Sequence, residues 1–329
     1  MQIVFLNTFE KQTPEFGIAS AQLSICERHG VWEVLWVEGE EGTPVTWFEG
    51  TSWEEMIAAF RHGAAVKMGE GYNPIIDGML DERRTLSGSY QTMMQCYGEL
   101  NRNDELFEAL REWRRLRAMS EKRSAYLVAT NRMLWMISAF IPHKAEELLQ
   151  IPGWGETKQA AYAAELLAIT CTYERGTSFP LDWVSNALDP KEYTQWLYRQ
   201  KETKFKGQMD RLQEKRKILT SIQAGESLDQ LMQEISLPRR ELLDRIEQLD
   251  SEGYDLEPLI TRELSDMPEA EQQLVWDTMQ SVGDRYLKPV LQQVYGEEAG
   301  DSRSMDTLYG RLRLLRLRFR RSTKQEAVS

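Results

Sequence analysis

The first fifty residues contain short, largely apolar runs bounded by turn signals such as His29-Gly30 and Gly39–Gly42, a pattern typical of β-strands. Three of these runs are rich in β-branched and aromatic residues, namely Ile3–Leu6, Gln22–Cys26 and Trp32–Val37. Trp47-Phe48 indicates a further short strand. We therefore expect a small antiparallel sheet in this part of the chain.

A helix is predicted directly after these strands. Ser52 stands three residues before Glu55, which is the spacing of a capping box. The strands and this helix predict a small antiparallel α+β domain over residues 1–68. The following stretch contains Gly, Pro and Ser, and we expect residues 69–99 to form a connector.

From about residue 104 to residue 170 the apolar positions follow a helical period. The first run repeats at i, i+3 and i+4 and consists of Leu106, Phe107, Leu110, Trp113 and Leu116. A second helix is predicted around Arg132–Phe140 and ends before Pro142. Short and long helices are then predicted over Glu146–Gln150 and Thr157–Ile169.

The tight turn before the last of these helices is a candidate phosphate site. Gly153 and Gly155 allow the backbone to turn sharply and to expose amide groups at the start of a helix. Those amides and the helix dipole favour an anion, and Lys158 adds a positive charge one turn into the helix. The alternative is a corner between two helices that only packs.

The residues around this turn form a wider pattern. It comprises Leu106-Phe107, Leu110, Trp113-Arg114, Ala125–Val128, Leu134, Ile141-Pro142, Glu147–Leu149 and Ile151–Gly155, followed by Lys158 and Tyr162. With this pattern, residues 100–171 resemble the HRDC family, an accessory domain at the C-termini of RecQ-type helicases and ribonuclease D-type exonucleases. The chain departs from the family at Asn131, where an acidic residue is usual. The resemblance implies a helical module that binds nucleic acid or docks a protein.

The candidate binding face of this module consists of cations and the turn. Its members are Arg111, Arg114, Arg115, Arg117, Lys122, Arg123, Gly153, Trp154, Gly155 and Lys158. Arg111, Arg114 and Arg115 fall on one side of a helix at i, i+3 and i+4. Trp154 is a candidate for stacking on a base. The alternatives are a solvated charged face and a tryptophan that fills the core.

The C-terminal third predicts further helices. A long charged helix is expected over Lys191–Ser221, and Ser227 with Gln230 predicts a capping box that opens another helix. Ser236 and Pro238 then begin the next one after a short turn, which is the pattern of a helix-turn-helix. Residues 213–320 are similar to the helix-turn-helix domain appended to some bacterial RecQ-type helicases.

The second helix of this helix-turn-helix has candidate DNA contacts and features that oppose them. Its cations are Arg239, Arg240 and Arg245, whereas Glu241, Asp244 and Glu247 would repel phosphates. A docking unit that does not touch DNA is therefore an open alternative.

Residues 307–329 contain seven basic side chains and one acidic side chain, and we call this segment the basic tail. Leu312, Leu315 and Phe319 share one side of a helix, and Arg318, Arg320 and Arg321 are candidate phosphate contacts. The tail has two possible roles, which are phosphate binding and packing on the acidic region 213–306. For the apolar stripe Leu312, Leu315 and Phe319 we favour packing, and we leave the arginines open. That region has 21 acidic and 10 basic side chains, a net charge of −11.

The net charge and the cysteines argue against several classes of protein. The net charge is −12, and residues 102–170 have 10 basic and 9 acidic side chains, so a strong nonspecific nucleic-acid binder is not indicated. Cys26, Cys96 and Cys171 are far apart and odd in number, which argues against a disulfide framework and a cysteine zinc site.

Motifs for catalysis are missing from the sequence. It has no G-x-x-x-x-G-K-[ST] loop for ATP. His29, His62 and His143 are scattered, so neither a zinc protease site nor a catalytic triad is predicted. We expect no enzyme activity, no catalytic residue, no metal site and no cofactor.

These observations predict a mainly α protein with a small N-terminal antiparallel α+β domain. The expected parts are residues 1–68, a connector 69–99, an HRDC-like domain 100–171, a linker with a long helix 172–212, a helix-turn-helix-like domain 213–321 and a tail 322–329. The expected function is non-catalytic nucleic-acid binding, with DNA more than RNA as the ligand and a helicase or repair protein as a partner. The alternative is a scaffold that docks proteins. Without a signal peptide or an apolar span, a cytoplasmic protein that does not enter a membrane is expected.

Overall fold

In the computed structural model, the chain separates into two units, Met1–Gly207 and Gln208–Ser329. The structure describes residues 1–13, 17–39, 42–76, 89–296 and 302–326. Part of the expected connector, 77–88, and the end of the expected tail, 327–329, lie outside the described residues. The mainly α fold with a small N-terminal α+β region is confirmed.

The first unit begins with a five-stranded antiparallel sheet in the order β4-β3-β2-β1-β5. Its strands are β1 (Gln2–Thr13), β2 (Gly17–Arg28), β3 (Val31–Glu38), β4 (Val45–Gly50) and β5 (Asn73–Pro74). The first two strands are longer than the sequence pattern predicts. Beyond the predicted runs they pair from Asn7↔Leu23 to Thr13↔Gly17, and the paired residues Phe9 and Ala21 belong to the core of the sheet.

Helix α1 (Trp53–Gly69) covers one face of the sheet. As predicted, the hydroxyl of Ser52 accepts a hydrogen bond of 3.3 Å from the backbone N–H of Glu55. The core between helix and sheet is closely fitted, because a Cβ at Gly63 would lie 2.2 Å from Cε3 of Trp47. Trp47 in turn stacks on the buried ring of Trp36.

In the residues described from 89 to 170, six helices form a second core in the same unit. They are α2 (Tyr90–Leu100), α3 (Asp104–Ser120), α4 (Ala125–Val128), α5 (Asn131–Phe140), α6 (Ala145–Leu148) and α7 (Glu156–Thr170). Their shared core includes Leu106, Leu110, Leu134, Ile137, Phe140, Trp154 and Leu166. Helix α2 lies at the end of the expected connector 69–99, and its buried Met94 belongs to this core.

A short 3-10 turn (Leu181–Trp183) and helix α8 (Val184–Ala187) lead to the long helix α9 (Pro190–Gln223). Buried Leu181 and Val184 extend the helical core, whereas Phe205 of α9 packs into the core of the sheet. The long charged helix that the sequence predicts over Lys191–Ser221 is therefore present.

In its described residues, the second unit contains the rest of α9 and six further helices. They are α10 (Leu228–Ile235), α11 (Arg239–Ser251), α12 (Glu257–Glu263), α13 (Glu269–Val282), α14 (Leu287–Tyr295) and α15 (Ser302–Glu326). The predicted capping box is present, with Ser227 accepting from the N–H of Gln230 at 3.3 Å and Gln230 accepting from the N–H of Ser227 at 2.8 Å. Within the described ranges, none of the helices has the length and apolar character that a membrane span requires.

Candidate nucleic-acid interface

The outer side of α3 presents two exposed arginines in local ion pairs. Arg111 lies 2.8 Å from Glu108, and Arg115 lies 2.6 Å from Glu112, each one turn away along the helix. The arginine side chains are 50% and 59% exposed. Pairs of this kind contribute only about 0.3–0.5 kcal/mol, so a phosphate can replace either carboxylate at small cost.

Arg114 lies between these two arginines in the predicted row, and its side chain contacts the protein itself. Its guanidinium donates to the carbonyl of Ala129 and to Oδ1 of Asn131, both at 2.9 Å. Burial lowers the pKa of Arg114, and the charge of Arg111 lowers it further. Arg114 therefore ties α3 to the start of α5, and Asn131 supplies the acceptor at the position where the sequence departs from the resembled family.

The residues after α3 form a compact polar cluster. The carboxyl of Glu121 accepts from Arg123 at 2.9 Å, from the Tyr162 hydroxyl at 2.9 Å and from Arg117 at 2.8 Å. These hydrogen bonds, led by that of Arg123, lower the pKa of Glu121. Lys122 is exposed beside the cluster with a φ of 52°. Of the predicted cations here, Lys122 points to solvent, while Arg123 is held by Glu121.

Trp154 fills the core, which is the second of the two alternatives that the sequence leaves open. The residue is 2% exposed, and its Nε1 donates to Oε1 of Gln159 at 2.6 Å. The turn around it needs Gly153, whose φ of 86° is rarely adopted by other residues. Gly155 is the N-cap of α7 and provides no side chain to its first amides.

Lys158 donates hydrogen bonds to backbone carbonyls of the neighbouring helix α4. Its ammonium donates to the carbonyls of Leu127 and Val128, at 2.7 and 2.5 Å. Burial is the main cause that lowers the pKa of Lys158, and the charge of Arg123 adds to it. The lysine thus satisfies carbonyls at the end of α4 that have no partner within the helix.

The predicted helix-turn-helix corresponds to α10 and α11. On α11, Arg239 lies 2.8 Å from Asp229, Arg245 lies 2.7 Å from Glu214, and Arg240 is exposed. Helix α15 covers one side of α11, since Arg313 pairs with Asp244 at 2.6 Å and with Glu247 at 2.7 Å. That side is therefore occupied by the chain itself.

The arginines of the basic tail pair with the acidic region before it. Besides Arg313, the partners are Glu247 for Arg316, Glu257 for Arg318, Asp284 for Arg320 and Asp250 for Arg321. Leu312 and Leu315 are buried in the core of the second unit. The favoured interpretation, packing on the acidic region, matches this geometry.

Metal chemistry has no evident place in the described parts of the chain. No group of three or more His, Cys, Asp or Glu side chains there could hold an ion. Sequence reasoning missed a basic and aromatic stripe on α9, which includes Tyr193, Tyr198, Lys201 and Lys204. The sequence contains this signal only weakly, because at 100° per residue the positions i, i+5, i+8 and i+11 spread over an arc of about 140° around a helix.

Comparison with known proteins finds a family for part of the chain. The family model of the HRDC domain matches residues 103–170, which are the helices α3 to α7. No curated protein and no solved structure matches the chain. The likeness of residues 213–320 to the helix-turn-helix domain stays a prediction.

Proposed function

Residues 103–170 are an HRDC domain, a module associated with nucleic-acid binding, and on that premise we propose that the protein is a non-catalytic accessory protein that binds nucleic acid. The family match is the observation that carries the proposal. We propose DNA rather than RNA as the ligand. We also propose that the protein acts in the cytoplasm, in DNA repair or recombination, with a helicase as its partner.

The proposed contact surface is the outer side of α3 with the turn after it, formed by Arg111, Arg115 and Lys122. Differences in exposure support this choice over the basic tail. Arg313 and Arg316 are only 14% and 13% exposed and hold α15 on acidic helices. Moving them to a phosphate would leave the partly buried carboxylate of Glu247, which both arginines contact, without these partners. The α3 arginines carry no such penalty.

A second candidate function is protein docking by the same domain. Four apolar side chains of α3 and α4 are exposed, namely Leu116, Met119, Tyr126 and Leu127. Met119 lies beside the arginine row, with its sulfur 3.5 Å from Nη1 of Arg115. A mixed apolar and cationic surface of this kind is also typical of protein interfaces.

Fluorescence anisotropy of the full chain tests the proposal. The labelled probes are single-stranded, forked and duplex DNA and single-stranded RNA, at about 50 and 200 mM salt. We expect binding that weakens with salt. The double variant Arg111→Ala/Arg115→Ala should lose affinity and lower the slope of log K against log salt by about 1.4 on a single strand, since each phosphate contributes about 0.7.

The matched control is Arg285→Ala/Lys288→Ala, which removes two exposed cations from the second unit and should leave binding unchanged. Absence of binding to all four probes at low salt would contradict the proposal. Protein capture that is lost in Leu116→Ser/Tyr126→Ser would then favour the docking function.

A further inference from the structure

The corner of the sheet beside the start of α1 exposes an indole ring. Trp53 is the first residue of α1 and is 51% exposed. Its ring meets that of the half-buried Trp32 edge to face, with 4.9 Å between the ring centroids. This pair lies outside residues 103–170, so the family match assigns it no role.

The fold holds both rings in place. Trp32 pairs with Glu27 on β2 and with Gly50 on β4, and its ring packs against the core of the sheet. Trp53 stands one helical turn before the buried Met56 and therefore lies on the core side of α1. A ligand meets an aromatic surface that is already ordered, so little side-chain entropy is lost on binding.

Carboxylates surround these rings. Residues 27–33 and 49–55 are neighbours in the sheet and at its edge, and together they contain five glutamates, one arginine and one histidine. Glu27 lies directly opposite Trp32 on the adjacent strand. Side chains in this relation have Cβ atoms about 4.5–5.5 Å apart, so this carboxylate stands beside the aromatic pair.

The negative charge of this corner is not balanced by ion pairs. In the described part of the chain no salt bridge involves Glu27, Glu33, Glu49 or Glu54. Glu27 accepts the backbone N–H of Gly30 at 2.6 Å, and Glu54 is exposed where it offsets the positive dipole at the start of α1. Glu33 and Glu49 lie directly opposite each other, an arrangement in which like charges repel. A cationic partner would relieve this repulsion, whereas phosphates would add to it.

We propose that this corner of the sheet binds an extended basic segment of a partner protein, with an arginine side chain against the ring of Trp53 and its charge beside Glu27 and Glu54. A guanidinium is planar, stacks on aromatic rings and pairs with carboxylates, so it uses both parts of the surface. The inference goes beyond the proposed function and does not depend on it, because none of these residues belongs to the proposed nucleic-acid surface.

The test uses the full chain and a fluorescein-labelled peptide, GRGRGRG, in anisotropy titrations. Trp53→Leu keeps an apolar side chain and removes the indole, and it should weaken binding about two- to fivefold, the contribution of a cation over an exposed ring. Trp53→Phe retains an aromatic ring and should weaken binding less. Circular dichroism checks that both variants are folded. Equal affinity of Trp53→Leu and the parent chain would overturn the inference.

The carboxylates have their own variant. Glu27→Gln/Glu54→Gln keeps the side-chain shapes and an acceptor for the N–H of Gly30, and it should weaken binding and reduce its dependence on salt. The matched control Asp266→Asn/Glu269→Gln removes two exposed carboxylates from the second unit and changes the net charge equally. It should leave the affinity unchanged. An equal loss in both double variants would show that only net charge attracts the peptide, and the inference would be wrong.

Fluorine NMR locates the contact. The chain contains ten tryptophans, and after incorporation of 5-fluorotryptophan the signal that is missing in Trp53→Phe belongs to Trp53. The peptide GRGRGRG should shift this signal, GKGKGKG should shift it less because an ammonium is not planar, and GEGEGEG should leave it in place. If a dT15 strand shifts the signal and GRGRGRG does not, the corner contacts nucleic acid, and the inference is wrong while the proposed function stands.

Discussion

Gly98 of α2 lies so close to Met136 of α5 that a Cβ at position 98 would stand 2.7 Å from Cγ of Met136 and 2.9 Å from its Cα. The flexible side chain can move, but the backbone of α5 cannot do so without disturbing the helical core around Leu134 and Ile137. This contact joins α2, which precedes the matched residues 103–170, to the HRDC helices.

Gly98→Ala should therefore destabilise the first unit. Inserting one methyl group into a close backbone contact typically lowers the free energy of unfolding by about 1–3 kcal/mol. Urea denaturation followed by circular dichroism measures this. In the control Gly176→Ala the added Cβ meets no described atom within 4 Å, so the change should stay within about 0.5 kcal/mol. Equal stability of the two variants would show that α2 does not approach α5 this closely.

Lys158→Met should loosen the junction of α4 and α7. The variant keeps an apolar stem but leaves the carbonyls of Leu127 and Val128 without their donor, which is expected to cost about 1–2 kcal/mol. Hydrogen exchange read by mass spectrometry should be faster in peptides covering both helices and unchanged in the second unit. Lys144→Met, at an exposed lysine of the same domain, is the control. Unchanged exchange around α4 in Lys158→Met would contradict the structural role.

The second unit should lose stability in acid. Burial tends to raise the pKa of Glu247, but the hydrogen bonds and charges of Arg313 and Arg316 outweigh it and hold the pKa below the ordinary 4.5. The pKa of Asp284 is also lowered, first by its hydrogen bond from Arg320. Because these folded-state pKa values are depressed, the stabilisation is complete above the unfolded value and is lost as pH falls through the folded one.

Glu247→Gln isolates this contribution. At pH 7 the variant should unfold at a lower urea concentration than the parent chain. Its free energy of unfolding should be lower by about 2 kcal/mol, the contribution of hydrogen bonds with charged groups. As pH falls below 4.5 and through the lowered pKa of Glu247 the difference should shrink, because the parent carboxyl is protonated first in the unfolded chain and then in the folded one. Glu241→Gln serves as control, since Glu241 is exposed on the same helix. A difference that is constant with pH would rule out the ionised pair as its source.

Alkylation should distinguish the three cysteines. Cys26 and Cys96 are buried and Cys171 is exposed. Burial raises the pKa of the Cys96 thiol to about 12, so its reactive thiolate is scarce at pH 8. Iodoacetamide should therefore add one group to the native chain and three in urea, as read by intact mass. Rapid labelling of Cys96 in the native chain would show that the contact of α2 with the helical core opens readily.

Patterns that depend on neighbours in sequence were predictable. The cap at Ser52, the capping box at Ser227 and the helix after Gly155 are local, and the sequence indicates each of them. The helices of residues 103–170 could be predicted because their core positions recur at helical spacing from Leu106 to Leu166, whereas the family followed from the resemblance of particular residues, such as those of the turn Ile151–Gly155. The strands were predicted too short, since beyond the apolar runs β1 and β2 place single apolar residues such as Phe9 and Ala21 in the core, between polar neighbours that are held by strand pairing.

Features that depend on distant partners could not be predicted. From the sequence, the ammonium of Lys158 could bind either a phosphate or another part of the protein. The fold brings the carbonyl oxygen of Leu127 within 2.7 Å of its Nζ. Trp154 is equally able to stack on a base or fill a core. Arg132 and Tyr193, which line one cavity of about 600 Å³, are 61 residues apart in the chain. Contacts over such separations are set by tertiary packing.

Helix α15 also constrains how the second unit is made. It contributes Leu312, Leu314, Leu315 and Leu317 to a core whose other members come from α9 to α14, and its arginines offset the acidic residues of those helices. During synthesis the N-terminal parts of a chain emerge first. Until α15 leaves the ribosome, the preceding helices therefore face water with an open apolar surface and unbalanced negative charge, and this unit completes its core only when α15 packs onto them.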